Sequence, residues 1–277
     1  MLDASRRWRR DGKSIGLVPT MGALHEGHMS LVHAARAEND VVVVSVFVNP
    51  IQFGPNEDLD RYPRDWARDL KMLEGAQVDA VYRPAADEMY PTDASTRVHV
   101  GGVTDGLEGA ARPGHFEGVA TVVTKLLAAV DPDRAYFGQK DAQQAAAIKR
   151  MVADLNFQVR IEVCPTAREA DGLALSSRNA YLDGADRARA AALRRALDAA
   201  ESAVAGGERD SARVVEAARG ALAELDVDPD YVEVVAPDTF SPVERIDGTA
   251  LIAVAARVGP ARLIDNTLLS TNHKDPS

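Results

Sequence analysis

The first half of the chain alternates short apolar runs with stretches whose apolar residues recur at helical spacing. The clearest run, Val41–Val48, contains no charged residue and is typical of a strand covered on both faces of its sheet. The predicted strands are Ile15–Pro19, Val41–Val48, Val78–Tyr82, Ala135–Phe137 and Phe157–Val163. The predicted helices are Gly27–Asn39, one with a face of Trp66, Leu70 and Leu73, one at Val119–Val130 ended by Pro132, and Asp141–Leu155.

Strands that alternate with helices predict a parallel sheet joined by right-handed crossovers. We therefore expect residues 1–166 to form a Rossmann-like, doubly wound α/β domain. After Pro165 two alanine-rich helices precede three strand-like runs, which predicts a smaller α+β domain at residues 167–277. Its predicted elements are Ala185–Ala205, Ser211–Leu225, Tyr231–Val235, Ala250–Val258 and Ala261–Leu269, and the tail Thr271–Ser277 is expected to be disordered.

Composition narrows the class of protein. Of the 277 residues 46% are apolar and 27% are charged, which is ordinary for a soluble globular protein. The net charge of −10 argues against a nucleic-acid partner, and we interpret the basic cluster Arg6–Arg10 as the solvated face of a first helix. The longest apolar run is far shorter than the ~20 residues of a membrane span. Cys164 is the one cysteine, so an internal disulfide is excluded and the cytoplasm is the expected location.

The stretch PTMGALHEGHMSL carries His25 and His28 at a glycine-containing turn between a predicted strand and a predicted helix. In doubly wound sheets ligands bind beyond the carboxyl ends of strands, and unpaired N–H groups at a helix start attract phosphate. The spacing matches neither the dinucleotide fingerprint nor the H-E-x-x-H zinc motif. No Cys/His cluster supplies further zinc ligands. A polar loop whose histidines only cap backbone is the alternative.

Three further stretches carry candidate chemistry. In YFGQKDAQQ, Lys140 follows a predicted strand and could neutralise phosphate charge, or be merely solvated. In READGLALSSRNAYL, two serines and Arg178 suit a phosphate, although Ser176 or Ser177 could instead cap a helix. FVNPIQF follows the most apolar strand, and its two amides fit a small polar substrate in a mostly apolar pocket.

The segments PTMGALHEGH, FVNPIQF, GQKDAQQ and DGLALSSRN, in this order and spacing, resemble the pantothenate synthetase family. The resemblance extends from about Gly16 to Asn266. HEGH is similar to the HIGH-type element of the nucleotidylyltransferase superfamily, and LSSRN is similar to its KMSKS-type element.

The resemblance implies an enzyme that joins pantoate to β-alanine with ATP and Mg²⁺. Pantoate would attack the α-phosphate to give pantoyl adenylate and pyrophosphate, and β-alanine would then displace AMP. It further implies a second domain that closes over ATP and a homodimer formed through the first domain. No nucleic acid or membrane is among the expected partners, and no protein ligand to the metal is named.

The same resemblance implies roles for individual residues. His25 and His28 would contact the triphosphate, with His28 as proton donor, and Lys140 would stabilise the pentacovalent phosphorus. The residues implied to bind ATP are these three with Met21, Gly22, Gly138, Asp141, Ala167, Leu175, Ser176, Ser177 and Arg178. The residues implied to bind pantoate or β-alanine are Asn49, Gln52 and Gln144.

Two positions depart from common family forms. Arg68-Asp69 stands where many members have two adjacent acids, so magnesium contacts at this place stay open, and Gln139 stands where many have Glu. Two rival functions also stay open: a nucleotidylyltransferase with a phosphorylated acceptor, and a nucleotide sensor without catalysis. Transfer-RNA charging is disfavoured by the negative charge and by the lack of room for an anticodon domain.

Overall fold

A computed structural model describes residues 1–55 and 57–271 of the chain. The chain divides into two compact units. The first contains residues 1–139 and 143–165, and the second contains residues 140–142 together with those from Thr166 onward. Apart from Thr271, the tail predicted to be disordered lies outside the described residues.

The first unit contains a five-stranded parallel sheet in the order β3-β2-β1-β4-β5. This arrangement confirms the predicted doubly wound α/β class. The strands are β1 (Ile15–Thr20), β2 (Val41–Val46), β3 (Ala80–Tyr82), β4 (Arg134–Gly138) and β5 (Arg160–Cys164). The helices are α1 (Leu2–Arg10), α2 (Glu26–Glu38), α3 (Trp66–Gly75), α4 (Ala86–Met89), α5 (Glu108–Ala111), α6 (His115–Val130) and α7 (Ala142–Asp154).

The strand order reverses between β1 and β4, which creates a topological switch point. Gly16 pairs with Arg134 and Leu17 with Ala135, and the Ile15 N–H donates to the Asp133 carboxylate at 2.7 Å. Because the two strands are parallel, their carboxyl ends meet at one edge of the sheet. Ligands of doubly wound proteins bind at such an edge.

The sheet buries side chains on both faces. Val18, Val44 and Tyr136 share one face with α2 and α3. Ile15, Leu17 and neighbouring odd-numbered residues are fully buried and point to the opposite face by strand alternation. Helices α1 and α6 both contact β1. Because both faces of the sheet are covered, the sequence of β2 is an apolar run rather than an alternating pattern.

Strand β2 ends at Val46 rather than Val48, and two other strands begin later than predicted. Strand β3 begins at Ala80 rather than Val78, because its pairing with β2 starts at Val43 opposite Ala80. Strand β5 begins at Arg160 rather than Phe157, because its partner β4 starts at Arg134 opposite Arg160. An apolar run thus predicts where a strand lies, whereas the neighbouring strand decides where it begins.

The second unit contains a three-stranded antiparallel sheet in the order β6-β7-β8 with helices, which confirms the predicted α+β character. One expectation is wrong: Ala185–Ala205 is two helices separated at Ala191, and no glycine or proline in the sequence marks that break. The elements are α8 (Gly184–Ala190), α9 (Ala192–Ala205), α10 (Ser211–Ala223), β6 (Pro229–Val235), β7 (Thr249–Val258) and β8 (Ala261–Ser270).

Candidate active site

The β1 turn, residues Thr20–His28, connects β1 to α2 at the switch point. Gly22 and Ala23 both have positive φ, at 81° and 50°. The Thr20 hydroxyl donates to the Ser45 carbonyl at 2.7 Å and accepts the Gly22 N–H at 3.2 Å. A side chain on Gly22 would place its Cβ 3.0 Å from Asp69 Oδ2, so both backbone conformation and space favour glycine there.

The two imidazoles of the β1 turn form a reciprocal cap on α2. Nδ1 of His25 accepts the Gly27 N–H at 3.1 Å, and Nδ1 of His28 accepts the His25 N–H at 3.4 Å. Their ring centroids lie 4.1 Å apart. Because both Nδ1 atoms accept hydrogen bonds, each neutral ring carries its proton on Nε2. Capping therefore orients two imidazole N–H donors beside each other.

The expectation that unpaired backbone N–H groups of this turn attract phosphate is wrong for several of them. The amides of Ala23 and Leu24 donate to the Asp69 carboxylate at 2.9 and 2.8 Å, and those of Gly22, His25 and Gly27 donate to side chains of the turn. These donors already have partners, since buried amides are costly to leave unpaired. Binding of an anion would instead use the imidazole Nε2–H groups.

The amide of Gln52 belongs to a buried chain of hydrogen bonds. Its Oε1 accepts from Asn49 Nδ2 at 2.9 Å, and its Nε2 contacts the Met21 sulfur at 3.3 Å. Asn49, only 1% exposed, also donates to the Gly118 carbonyl at 3.1 Å and accepts the Tyr90 hydroxyl at 2.7 Å. The structure thus brings Met21, Asn49 and Gln52 together, and the buried Asn49 side chain supports that of Gln52.

A second group fixes the backbone of Gln52. The His115 ring bonds the Gln52 carbonyl through Nδ1 at 2.9 Å and contacts Arg112 through Nε2 at 3.0 Å. Arg112 also makes a two-pronged pair with Glu57 at 2.6 and 2.7 Å. Burial, together with the positive charge of Arg112, lowers the pKa of His115 to about 4, so the ring is neutral at pH 7 and Nδ1 is the donor.

The residues after β4 form a 3-10 turn, Gln139–Asp141, which follows Gly138 and leads into α7. The Lys140 ammonium lies 3.7 Å from the Asp141 carboxylate. The carbonyl of Lys140 accepts from Asn266 Nδ2 at 2.9 Å. Both contacts hold Lys140 just after the end of β4, which is the position that the sequence predicted.

Helix α7 begins with two glutamines in different environments. Gln143 is buried, and its amide donates to the carbonyls of Val103 and Gly106 at 3.0 and 2.9 Å while it accepts the Glu108 N–H. Gln144, the residue implied to bind pantoate, is half-buried. Gln143 therefore supports a loop, whereas Gln144 retains some exposure.

In the second unit, residues Ala167–Asn179 form a segment that we call the hairpin. Arg168 bridges to Ala174, and the Leu175 N–H donates to the Ala167 carbonyl at 2.9 Å. Ser176 then caps the 3-10 helix Ser177–Tyr181, its Oγ accepting the Arg178 N–H at 3.3 Å. Apart from Lys140 and Asp141, the residues implied to bind ATP in this unit thus share one short segment.

Ion pairs hold the hairpin. Arg168 binds Asp265 with two hydrogen bonds of 2.6 and 3.0 Å, and Asp265 is 2% exposed. Arg187 pairs with Glu169 and with Asp171. The hydrogen bond from Arg187 lowers the pKa of Glu169, and the Leu173 N–H lowers the pKa of Asp171. The shape of this loop depends on charged side chains.

Known proteins similar to this chain identify its family. The family profile for pantoate-beta-alanine ligase matches residues 1–268. The chain belongs to the pantoate-beta-alanine ligase family. Two relatives named pantothenate synthetase, from Thermotoga neapolitana and Moorella thermoacetica, are each 57% identical to it. The first match covers 96% of this chain and 95% of the relative, and the second covers 95% and 94%.

Solved structures of the ligase family have the same fold as this chain. The pantoate-beta-alanine ligase of Thermus thermophilus superposes with a TM-score of 0.90 at 50% identity, over 92% of each chain. The ligase of Francisella tularensis, complexed with β-γ ATP and β-alanine, superposes with a TM-score of 0.79 at 36% identity. That match covers 96% of this chain and 95% of the other.

Sequence reasoning missed Tyr90, Arg112 and His115, which shape the candidate site, and it named Asp69 only in connection with magnesium. Asp69 carried a usable signal, because it falls on the otherwise apolar face of α3. Tyr90 reaches Asn49 and His115 reaches Gln52 across long sequence separations, which no local pattern shows, and Arg112 acts through its contact with His115. Within the described ranges, no helix combines the length and apolar character that crossing a membrane requires.

Proposed function

We propose that this chain condenses pantoate with β-alanine to pantothenate, using ATP and releasing AMP and pyrophosphate. The observation that carries the proposal is the match to the ligase family over residues 1–268. The complex of the Francisella relative with β-γ ATP and β-alanine supports two of the three substrates. The paired imidazoles at the switch point supply the donors that phosphate chemistry needs.

The proposed reaction has two steps. An oxygen of the pantoate carboxylate attacks the α-phosphorus of ATP, the bond to the bridging oxygen of the β-phosphate breaks, and pyrophosphate leaves. The deprotonated amine of β-alanine then attacks the acyl carbon of the adenylate, AMP leaves with the C–O electron pair, and the nitrogen loses one proton to solvent. Adenylation is needed because a carboxylate itself has a poor leaving group.

The first step concentrates negative charge around phosphorus, and in the proposal three side chains stabilise that charge. The Nε2–H groups of His25 and His28 donate to phosphate oxygens, with His28 as the proton donor. The Lys140 ammonium stabilises the pentacovalent phosphorus. Donors that are held in place before the reaction lower its barrier, because they need no reorganisation. Capping holds the imidazoles in this way.

Recognition of pantoate is assigned to amides. Gln52 and Gln144 hydrogen bond to the substrate, and Gln52 also adjoins the place of β-alanine. The buried bonds of Asn49 support a role in orienting Gln52. The nucleotide is assigned to Met21, Gly22, Gly138, Asp141, Ala167, Leu175, Ser176, Ser177 and Arg178.

Magnesium enters the proposal as a companion of ATP. Among the described residues, no three His, Cys, Asp or Glu side chains are grouped to hold a metal ion. Asp69 fits poorly as a ligand because its two oxygens already accept the Ala23 and Leu24 amides. Mg²⁺ often binds through substrate phosphates and water rather than a protein cage. No step is therefore assigned to a metal bound by the protein.

The oligomeric state, the movement of the second domain and the cellular location remain predictions. These are a homodimer formed through the first domain, closure of the second domain over ATP, and a cytoplasmic location. Sedimentation equilibrium of the purified chain tests the first of them, and a mass equal to one chain at micromolar concentration would contradict it.

Exchange of labelled pyrophosphate into ATP tests the reaction. Pantoate alone should support exchange, because every phosphate-directed group of the proposal acts before an amine arrives. Addition of β-alanine should then yield pantothenate and AMP in equal amounts. Exchange that strictly requires β-alanine would rule out the two-step order.

The same assay separates the rival functions. A nucleotide sensor would bind ATP without exchange under any condition. A nucleotidylyltransferase of the same superfamily would need a phosphorylated acceptor in place of pantoate. Either result with a folded protein would replace the proposed function.

A further inference from the structure

Asp69 lies inside the first unit, against the β1 turn. It is 2% exposed and sits in the first turn of α3. Its partners within the described residues are the two consecutive amides of Ala23 and Leu24, at 2.9 Å to Oδ2 and 2.8 Å to Oδ1. A buried carboxylate is costly unless hydrogen bonded, so these contacts are specific.

One of the two amides that Asp69 binds belongs to a strained residue, Ala23. Ala23 has φ of 50°, a left-handed conformation that is unfavourable for a residue with a Cβ. Such a conformation persists only where its surroundings enforce it. The Asp69 carboxylate does so by taking the Ala23 and Leu24 N–H groups, which point the same way when Ala23 is left-handed.

The strained residue stands immediately before the helix cap. Leu24 is buried and His25 is the N-cap of α2. A change in the backbone at Ala23 therefore rotates the chain that enters His25. His28 depends on the same geometry, because its Nδ1 accepts the His25 N–H. Both imidazoles are thus linked to Asp69 through two residues of backbone.

We infer that Asp69 is a positioning residue for the two imidazoles. It holds Ala23 in the left-handed conformation that lets His25 and His28 cap α2 and present Nε2–H to phosphate. Only the expected change in turnover rests on the proposed function. The expected change in the positions of the imidazoles does not depend on the reaction. It also gives this acidic residue a role other than magnesium binding.

Three variants test the link. Asp69→Asn keeps one acceptor but turns an NH2 group toward the second amide, and its turnover in pantoate-dependent pyrophosphate exchange should fall about 10²-fold. The KM for pantoate should change little, because Gln52 is held by other groups. Asp69→Asn combined with Ala23→Gly should regain about tenfold, because glycine adopts positive φ without strain. Asp65→Asn, at the exposed cap of the same helix, is the matched control with normal turnover.

Nitrogen-15 NMR of the imidazoles supplies a readout that loss of stability alone does not move. In the unmodified chain the signals of His25 and His28 should report Nε2–H tautomers, and Asp69→Asn should mix the tautomers at temperatures where the protein is folded. Unchanged signals and normal turnover in Asp69→Asn would overturn the inference. Loss of activity that Ala23→Gly fails to relieve would overturn it as well.

Hydrogen exchange keeps the test decisive if Asp69→Asn does not fold. In the unmodified chain the Ala23 and Leu24 amides should be strongly protected, and exchange at the rate of an open loop would refute the inference. Failure of the proposed function would give a different result. The unmodified chain would then show no pantoate-dependent pyrophosphate exchange, while the imidazole NMR signals would still respond to Asp69→Asn.

Discussion

The β1 turn and the hairpin are both implied to bind phosphate, yet different interactions hold them. In the β1 turn, backbone amides are paired with imidazole nitrogens, one hydroxyl and one buried carboxylate. The contacts of Gln52 next to Met21 likewise come from amides and from the neutral ring of His115, which Arg112 contacts on its far side. The hairpin depends instead on pairs between Arg168 or Arg187 and three carboxylates.

The difference teaches how each region should respond to its surroundings. Buried hydrogen bonds, those of the Asp69 carboxylate included, depend on geometry and are little affected by salt. Ion pairs that are partly exposed contribute about 0–1 kcal/mol and weaken as salt is added. We therefore expect the first region to be sensitive to shape, and the second to charge.

The largest expected effect is on catalysis in the β1 turn. His28→Ala removes one oriented donor, and the loss of one such donor typically slows turnover about 10²–10³-fold. The first half-reaction, measured by pyrophosphate exchange, should suffer more than the discharge of adenylate. His33→Ala, an exposed residue later in α2, is the control. Joint loss of bound zinc and stability in His28→Ala would instead revive the metal interpretation of the two histidines.

The next effect concerns the stability of the second unit. Arg168→Met leaves the Asp265 carboxylate buried without its cation, which should lower the free energy of unfolding by about 3 kcal/mol. Urea denaturation measures this change. The double variant Arg168→Met with Asp265→Asn should lose less than the two single variants together, and strict additivity would show that the pair is not coupled.

A third prediction separates the regions by pH. His115 has a pKa lowered to about 4 against an ordinary value of about 6.5. The unfolded chain therefore binds the proton first, and stability should fall by about 2 kcal/mol between pH 6.5 and pH 5. Thermal unfolding followed against pH should show this slope in the unmodified chain and not in His115→Gln.

The hairpin should lose stability at lower pH. Glu169 and Asp171 have pKa values below their ordinary ones, so their contribution is complete above those ordinary values and disappears as pH falls through the folded values. Proteolysis within the hairpin should become faster below about pH 4. A hairpin that loosens together with the His115 transition would contradict the distinction.

The smallest expected effect is that of salt. Glu169→Gln removes one partner of Arg187, and the cost should be at most about 1 kcal/mol. The difference between this variant and the unmodified chain should shrink as ionic strength rises from about 0.05 to about 0.5 M, because a shorter Debye length screens the pair. A difference that grows with salt would show that Glu169 acts through packing.

Much of the fold was predictable because covered strands and amphipathic helices leave strong local patterns. Val41–Val48 contains β2, and the apolar spacing of Val119–Val130 contains most of α6. Boundaries were less predictable, since the starts of β3 and β5 depend on partner strands distant in the chain. The break at Ala191 lies in an unbroken run of alanines, so composition gave no warning.

The candidate site was predictable to the extent that its residues lie in contiguous motifs. The imidazole pair follows from one stretch of sequence, and the structure adds that each ring caps the helix it precedes. The supports of that stretch are non-local: Asp69 reaches Ala23, and His115 reaches Gln52, by folding. A single sequence does not contain those pairings, because they arise from the packing of separate helices against the sheet.

The pairing of β1 with β4 also sets the order in which the molecule can fold. Ile15 and Asp133 are 118 positions apart and meet beside this pair, so its closure costs more loop entropy than that of β1 on β2. Strands β1 to β3 end by Tyr82 and can associate early during synthesis. A nascent chain halted before β4 therefore presents β1 as an unpaired edge, which is a template for association with other chains.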